Sequence, residues 1–230
     1  MDTSLIILGV ALILVLYIVF YYMSMRDSLA NRLDLGQAQT PITIDKLTSP
    51  GNTKYSYELW MYVYGPKSIA TDTYVFFRDG STATKKNIGL KLKGNSPTLM
   101  LEYENAGATS PEITITDNLP FQSWVHIIVS ADNSYIDIYM NGKLIKSVKD
   151  AGIKSPSESS ALNFGVSQTY LAKFERTSEP TDPQTAWNHY MDGNGENPLK
   201  KLTGNYNVAL SFKKGDKDSD KYNLNLLGEQ

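Results

Sequence analysis

The chain has 230 residues, and its 22 Lys and Arg against 24 Asp and Glu leave a net charge of −2. No basic face is available for a nucleic-acid backbone, so no nucleic-acid partner is expected. It holds no cysteine and two histidines, His126 and His189, which excludes disulfide scaffolds and thiol chemistry and leaves little for a metal site or a nucleophilic triad.

Leu5 to Met23 is a run of nineteen residues without a charged side chain. At ~1.5 Å per helical residue it reaches roughly 29 Å, about the hydrocarbon thickness of a bilayer. Leu5, Leu8, Leu12 and Leu16 recur along it, and Tyr17, Tyr21 and Tyr22 gather at its C-terminal end, where amphipathic rings favour the headgroup level. The segment is therefore expected to be one N-terminal transmembrane α-helix spanning residues 1–24, with the lipid bilayer as its partner. Two other readings compete. A secretory signal peptide has a basic start and a shorter apolar core, although Ser28-Leu29-Ala30 offers a cleavage site; a buried core helix is shorter and carries a polar stripe. Arg26 and Arg32 follow the apolar run and no Lys or Arg precedes it, so the positive-inside rule places the rest of the chain on the cytosolic side. The lack of cysteine and of any Asn-x-Ser/Thr sequon leans the same way.

Residues 25–50 turn polar, with Pro41 and Pro50, and read as a juxtamembrane stalk with an entering strand near Pro41 to Asp45. From 51 to 230 short β-signals recur between Gly, Asn, Asp and Pro. The expected strands run Tyr55 to Tyr64, Thr73 to Arg78, Ile88 to Lys93, Thr98 to Glu104, Glu112 to Thr116, Trp124 to Ala131, Tyr135 to Met140, Lys143 to Val148, Leu162 to Ser167 and Tyr170 to Arg176. Tyr206 to Lys213 is expected to pair with Tyr222 to Leu227 across a polar loop. Asn141-Gly142 is the strongest hairpin signal, since both residues accept the positive φ of a type I′ turn. Trp124 to Val129 is apolar at nearly every position and reads as a central strand covered on both faces, with Trp124 a core aromatic. Pro183 to Met191 alone looks helical in this part, with Thr181 or Asp182 as N-cap. The fold class is all-β: a two-sheet antiparallel sandwich behind a membrane helix, and removal of residues 1 to about 35 should leave it folded.

The strand Tyr55-Ser56-Tyr57-Glu58-Leu59-Trp60-Met61, the Trp124-Val125-His126 entry to a strand and the run Ile138-Tyr139-Met140-Asn141-Gly142-Lys143-Leu144 resemble the concanavalin A-like lectin/glucanase superfamily, particularly its laminin G-like branch. Asn163-Phe164-Gly165, Ala172-Lys173-Phe174 and Trp187-Asn188-His189-Tyr190 continue the pattern over roughly residues 50 to 195. This resemblance implies a jelly-roll sandwich in which Trp60, Trp124, His126, Asn141, Gly142 and Trp187 are structural. Met191-Asp192-Gly193-Asn194-Gly195 and Tyr206-Asn207-Val208-Ala209-Leu210-Ser211-Phe212 are similar to membrane-anchored lectin-fold virion proteins of large DNA viruses of algae and amoebae. That second likeness implies a minor capsid or virion membrane protein tethering an internal membrane to a capsid shell, with capsid or other structural proteins as partners.

Glucanase relatives hydrolyse with two carboxyl groups roughly 5 to 5.5 Å apart. The nearest approach here is Glu102-Tyr103-Glu104, which reads as the exposed face of an amphipathic strand, so no catalytic residues are assigned and no enzymatic activity is expected. His126 and His189 read as packed, hydrogen-bonded side chains. Sugar binding is the alternative function, a membrane-bound lectin or adhesin with glycans as partners; Tyr62, Tyr64, Tyr74, Tyr103 and Trp187 are its stacking candidates. Asp216 to Asp220 imitates a calcium loop, but Lys221 and Leu227 stand where an EF-hand needs Gly and Glu. The laminin G-like resemblance keeps calcium in view, with no ligand set assigned, and no other cofactor is expected.

Overall fold

The structure is a computed structural model that describes residues 3–24, 28–65, 71–82, 84–107, 109–150, 152–195, 209–214 and 217–223. The chain divides into two compact units, Met1–Asn194 and Gly195–Gln230. The first opens with helix α1, Thr3–Ser24. Along its described side chains, 9–19, all are exposed except the half-buried Tyr17. Leu5, Leu8, Tyr21 and Tyr22 lie on the same helix with their side chains outside the described residues, as does Arg26 altogether. Among the described residues no helix is long and apolar enough to cross a membrane.

Eleven strands of this unit form two antiparallel sheets. In chain order they are β1 (Ser28–Asp34), β2 (Lys54–Val63), β3 (Thr73–Asp79), β4 (Lys86–Leu92), β5 (Leu99–Tyr103), β6 (Glu112–Thr116), β7 (Trp124–Asp132), β8 (Tyr135–Met140), β9 (Lys143–Lys149), β10 (Leu162–Phe164) and β11 (Thr169–Thr177). Helix α2, Pro183–Asp192, follows. One sheet has the order β1-β11-β2-β7-β8-β9 and the other β10-β3-β4-β5-β6. Alternation sends Tyr55, Tyr57, Leu59 and Met61 of β2 and Ile88, Leu90 and Leu92 of β4 into one shared core. The second unit contains a hairpin of its own, β12 (Ala209–Lys214) with β13 (Lys217–Asn223).

The stretch read as a stalk contains β1, which pairs with β11 through Arg32 opposite Ala172. Leu35 behind it is fully buried; deletion to residue 35 would therefore strip an edge strand and a core side chain from the sheet. Arg32 accordingly belongs to the sandwich. The entering strand near Pro41 to Asp45 reduces to a single bridge, Ile42 to Leu162, followed by a 3-10 turn at Ile44–Lys46. Trp124 is half-buried, because it starts β7 where cover is incomplete, whereas Val125 to Ala131 are buried throughout. In the second unit the hairpin closes earlier than expected, so Asp218 to Asp220 lie in β13.

The Asn141-Gly142 turn forms as expected, with φ of 51° and 73°. Asn141 also accepts the His126 amide on its Oδ1 at 3.0 Å and donates its own N–H to the His126 carbonyl at 2.9 Å. Asn141→Val should cost about 2–3 kcal/mol, combining left-handed backbone strain with a lost hydrogen bond. A denaturation midpoint equal to that of the parent would show that the turn relaxes without cost.

Candidate functional site

Five of the six residues expected to be structural converge on the outer face of the six-stranded sheet. Trp60 and His126 are cross-strand partners on β2 and β7, with ring centroids 4.9 Å apart. Helix α2 lies over them: Tyr190 stacks on Trp60 at 5.6 Å and contacts Trp187 at 5.8 Å. The helix starts where sequence chemistry places it, with Asp182 accepting the Gln184 and Thr185 amides at 2.9 and 3.1 Å and Pro183 in the first turn. The hairpin turn presses against it so closely that a Cβ on Gly142 would stand 2.9 Å from the Tyr190 Cβ. Ala186 completes the contact with Ile128 and Tyr139.

Sequence reasoning passed over Glu58, two positions before Trp60 and so on the same face. A carboxylate in a strand covered on both sides has to be paired, and that was the available signal. His126 Nε2–H donates to Glu58 Oε1 at 2.9 Å and His189 Nδ1–H donates to Oε2 at 2.6 Å. Burial pushes the Glu58 pKa up, but the hydrogen bonds and charges of the two histidines outweigh it and hold the carboxyl at about 2. The hydrogen bond and charge of Glu58 raise the pKa of His189 against its partial burial, with Glu175 and Asp192 adding to the effect.

With both carboxylate oxygens occupied, this group is a clamp for α2. The stabilisation that Glu58 contributes is present above its ordinary 4.5 and is lost as pH falls from there. That of the His189 imidazolium is full below its ordinary 6.5 and is lost as pH rises through the raised folded value. The clamp should be strongest between these limits. The thermal stability advantage of the parent over His189→Gln should be greatest near about pH 5.5 and narrower by about pH 8.5; a gap that widens with pH would contradict the clamp.

At one end of the same sheet an aromatic row crosses three neighbouring strands. Trp124 lies opposite Tyr62, and Tyr62 opposite Tyr170. The rings follow at 5.5 Å for Trp124 to Tyr62, 6.3 Å for Tyr62 to Tyr170 and 4.4 Å for Tyr170 to Tyr64, the last pair stacked. Tyr170 is 40% exposed and the others are half-buried. The Tyr64 hydroxyl donates to Asp34 Oδ1 at 3.1 Å, which sets a carboxylate at the end of the row. Of the stacking candidates, Tyr62 and Tyr64 are here, together with Trp124 and Tyr170, which were not among them. Tyr103 is buried and hydrogen-bonds Asp150, Tyr74 hydrogen-bonds Glu102, and Trp187, on α2 and 41% exposed, lies apart from the row beside Tyr190.

A laminin G-type family model, described as the concanavalin A-like lectin/glucanases superfamily, matches residues 36–178. The chain belongs to this superfamily. Among solved structures it is similar to the botulinum neurotoxin serotype D ligand binding domain in complex with N-acetylneuraminic acid, at 11% identity and a TM-score of 0.57, covering 71% of this chain and 42% of that one. It is also similar to the binding domain of botulinum neurotoxin DC in complex with rat synaptotagmin II, at 11% identity and a TM-score of 0.53, covering 67% and 38%. The chain thus spans about two fifths of these toxin domains, and the likeness is one of fold. No curated protein matches the sequence.

The superfamily's glucanase chemistry would need a free carboxyl pair. In this concanavalin A-like domain Glu102 accepts the Tyr74 hydroxyl at 2.5 Å with Lys91 at 3.8 Å. Glu104 instead takes the Ser81 amide at 2.8 Å, the Ser81 hydroxyl and Lys154 Nζ at 3.0 Å. The two acids belong to separate hydrogen-bond sets. Among the described residues no group of three or more His, Cys, Asp or Glu is placed to hold a metal ion.

Proposed function

We propose that this concanavalin A-like protein is a membrane-tethered, non-catalytic glycan-binding module. The aromatic row carries the reading: Trp124, Tyr62, Tyr170 and Tyr64 offer adjoining half-exposed rings for the apolar faces of sugars, and Asp34 stands at the end to accept hydroxyls. The toxin domain of similar fold in complex with N-acetylneuraminic acid supports the same class of ligand. The tether rests on α1, where Leu12, Ile13, Leu14, Val15 and Leu16 are each more than half exposed. A helix apolar on every side needs a lipid or protein environment, and one without a polar stripe is suited to lipid. Arg26 and Arg32 both lie in the flank that the positive-inside rule counts and favour the cytosolic side, whereas a glycan ligand would require the domain on the outer side.

Full-length protein in lipid nanodiscs should be retained on a glycan array, and Tyr170→Ala together with Tyr64→Ala should abolish retention. Retention by no glycan, or retention indifferent to both substitutions, would remove this function. A second reading is a protein-binding tether between a virion membrane and a capsid shell, with the domain facing the shell. It is favoured by the edge strand β9, whose Leu144 and Ile145 are 47% and 39% exposed beside an open hydrogen-bonding edge. Protease protection of the domain in microsomes separates the two: a cytosolic domain that crosslinks to shell proteins supports the tether and removes the adhesin.

A further inference from the structure

The other sheet carries a polar cavity that the aromatic row does not use. Where β3, β4 and β5 end side by side, Gly80 N–H donates to the Lys85 carbonyl at 2.8 Å and Glu104 N–H to the Asn87 carbonyl at 3.0 Å. Lys154 crosses these ends, its amide donating to the Glu104 carbonyl at 3.0 Å and its ammonium to Glu104 Oε1. Asn87 and Glu104 are buried on the face opposite Ile88 and Tyr103 of the core. With Gly80 and the serines Ser81, Ser155 and Ser157 they line a cavity of about 90 Å³. All three serines are exposed, so the cavity has an open hydroxyl-lined mouth over a buried floor.

One atom of that floor is unaccounted for. Asn87 is 1% exposed; its Nδ2 donates to the Lys154 carbonyl at 2.9 Å, while its Oδ1 is buried with no partner. Turning the amide over would set two oxygens against each other at Lys154, so the donor bond fixes Oδ1 as the free acceptor. Buried acceptors are nearly always satisfied. Glu104 adds a second one: a carboxylate accepts about four hydrogen bonds, and here the Ser81 hydroxyl and Lys154 occupy Oε1 and the Ser81 amide takes Oε2. One site on Oε2 is left. The ion pair with Lys154 makes the floor neutral overall, so it offers two acceptors without the excess negative charge that would select a cation. A cavity of about 90 Å³ holds several waters, each needing ~10–15 Å³ of such space, which is room for two adjacent hydroxyl groups at the floor.

We propose that this cavity binds a neutral vicinal diol, the hydroxyl-bearing edge of a terminal sugar or a free polyol, with one hydroxyl donating to Asn87 Oδ1 and its neighbour to Glu104 Oε2. The site is separate from the aromatic row and does not depend on it. The test is saturation-transfer NMR on the full chain in nanodiscs, with propane-1,2-diol, propane-1,3-diol, glycerol, methyl α-D-mannopyranoside and methylammonium as probes. The vicinal diols should bind saturably and propane-1,3-diol weakly. A preference for the mannoside over glycerol that Asn87→Ala removes identifies a sugar edge, and a preference for glycerol that it removes a free polyol. Asn87→Ala should weaken binding about tenfold, the scale of one hydrogen bond to a buried acceptor. Ser157→Leu, at the mouth, should block the cavity while leaving Asn87 in place, and circular dichroism checks that both variants fold. Diol binding that survives both Asn87→Ala and Ser157→Leu, a preference for methylammonium, or no saturable diol binding overturns the proposal. Diol binding without any retention on the glycan array would leave this site standing and remove the function assigned to the aromatic row.

Discussion

Arg78→Ala is expected to lower the stability of the sandwich by about 3–5 kcal/mol, since it empties a fully buried site and strips three part-buried carbonyls of their donor at ~1–3 kcal/mol each. The side chain is fully buried. Its guanidinium donates to the Pro50 carbonyl at 2.8 Å, the Ser157 carbonyl at 2.8 Å and the Ser160 carbonyl from two nitrogens at 3.1 and 3.2 Å. It thereby ties β3 to two loops more than a hundred residues apart from each other. Arg78→Lys should recover little, because a single ammonium cannot match carbonyls arranged around a planar fork. Chemical denaturation followed by tryptophan fluorescence measures both; an Arg78→Ala midpoint matching the parent would mean that water serves those carbonyls equally well.

Phe174→Ala should cost a similar amount, about 3–5 kcal/mol, the usual result of emptying a buried aromatic site. Phe174 is fully buried on β11 and meets rings from both sheets: Tyr57 at 6.2 Å, Phe76 at 5.2 Å and Phe164 at 5.3 Å. Phe174→Leu keeps most of the volume and should lose less than about 1.5 kcal/mol. The half-buried Trp124 provides the contrast, and its truncation to Ala should cost clearly less than that of Phe174. Equal losses at the two positions would show that the row at the end of the sheet is packed as tightly as the core.

Phe174 also shows where the pattern along the chain stops being informative. In Leu171-Ala172-Lys173-Phe174 strict alternation cannot send both Leu171 and Phe174 inward. The structure does so with a bulge between Ala172 and Glu175, where Lys173 takes a φ of 46°. No local signal marks it, since the extra residue is set by the fit of β11 against β2.

Sequence alone determined whatever depends on a few neighbouring residues. The Asn141-Gly142 hairpin, the Asp182-Pro183 start of α2, the apolar run of α1 and the strand content of a two-sheet sandwich all follow from dihedral preference, capping and period-two burial, which act over a turn or a strand. Tertiary structure alone decided which distant strands became neighbours. Pairing of Ala30 with Phe174 turned an expected stalk into an edge strand, and Glu58 found His189 across 131 positions. Tyr62, Trp124 and Tyr170 became one row only because β11, β2 and β7 lie side by side. Asn87 and Glu104 came to face a common cavity because Lys154 crosses their strand ends. These contacts bring together groups whose sequence separation carries no periodic signal, so they follow from the order of strands in the sheets and from loop closure, which no local window contains.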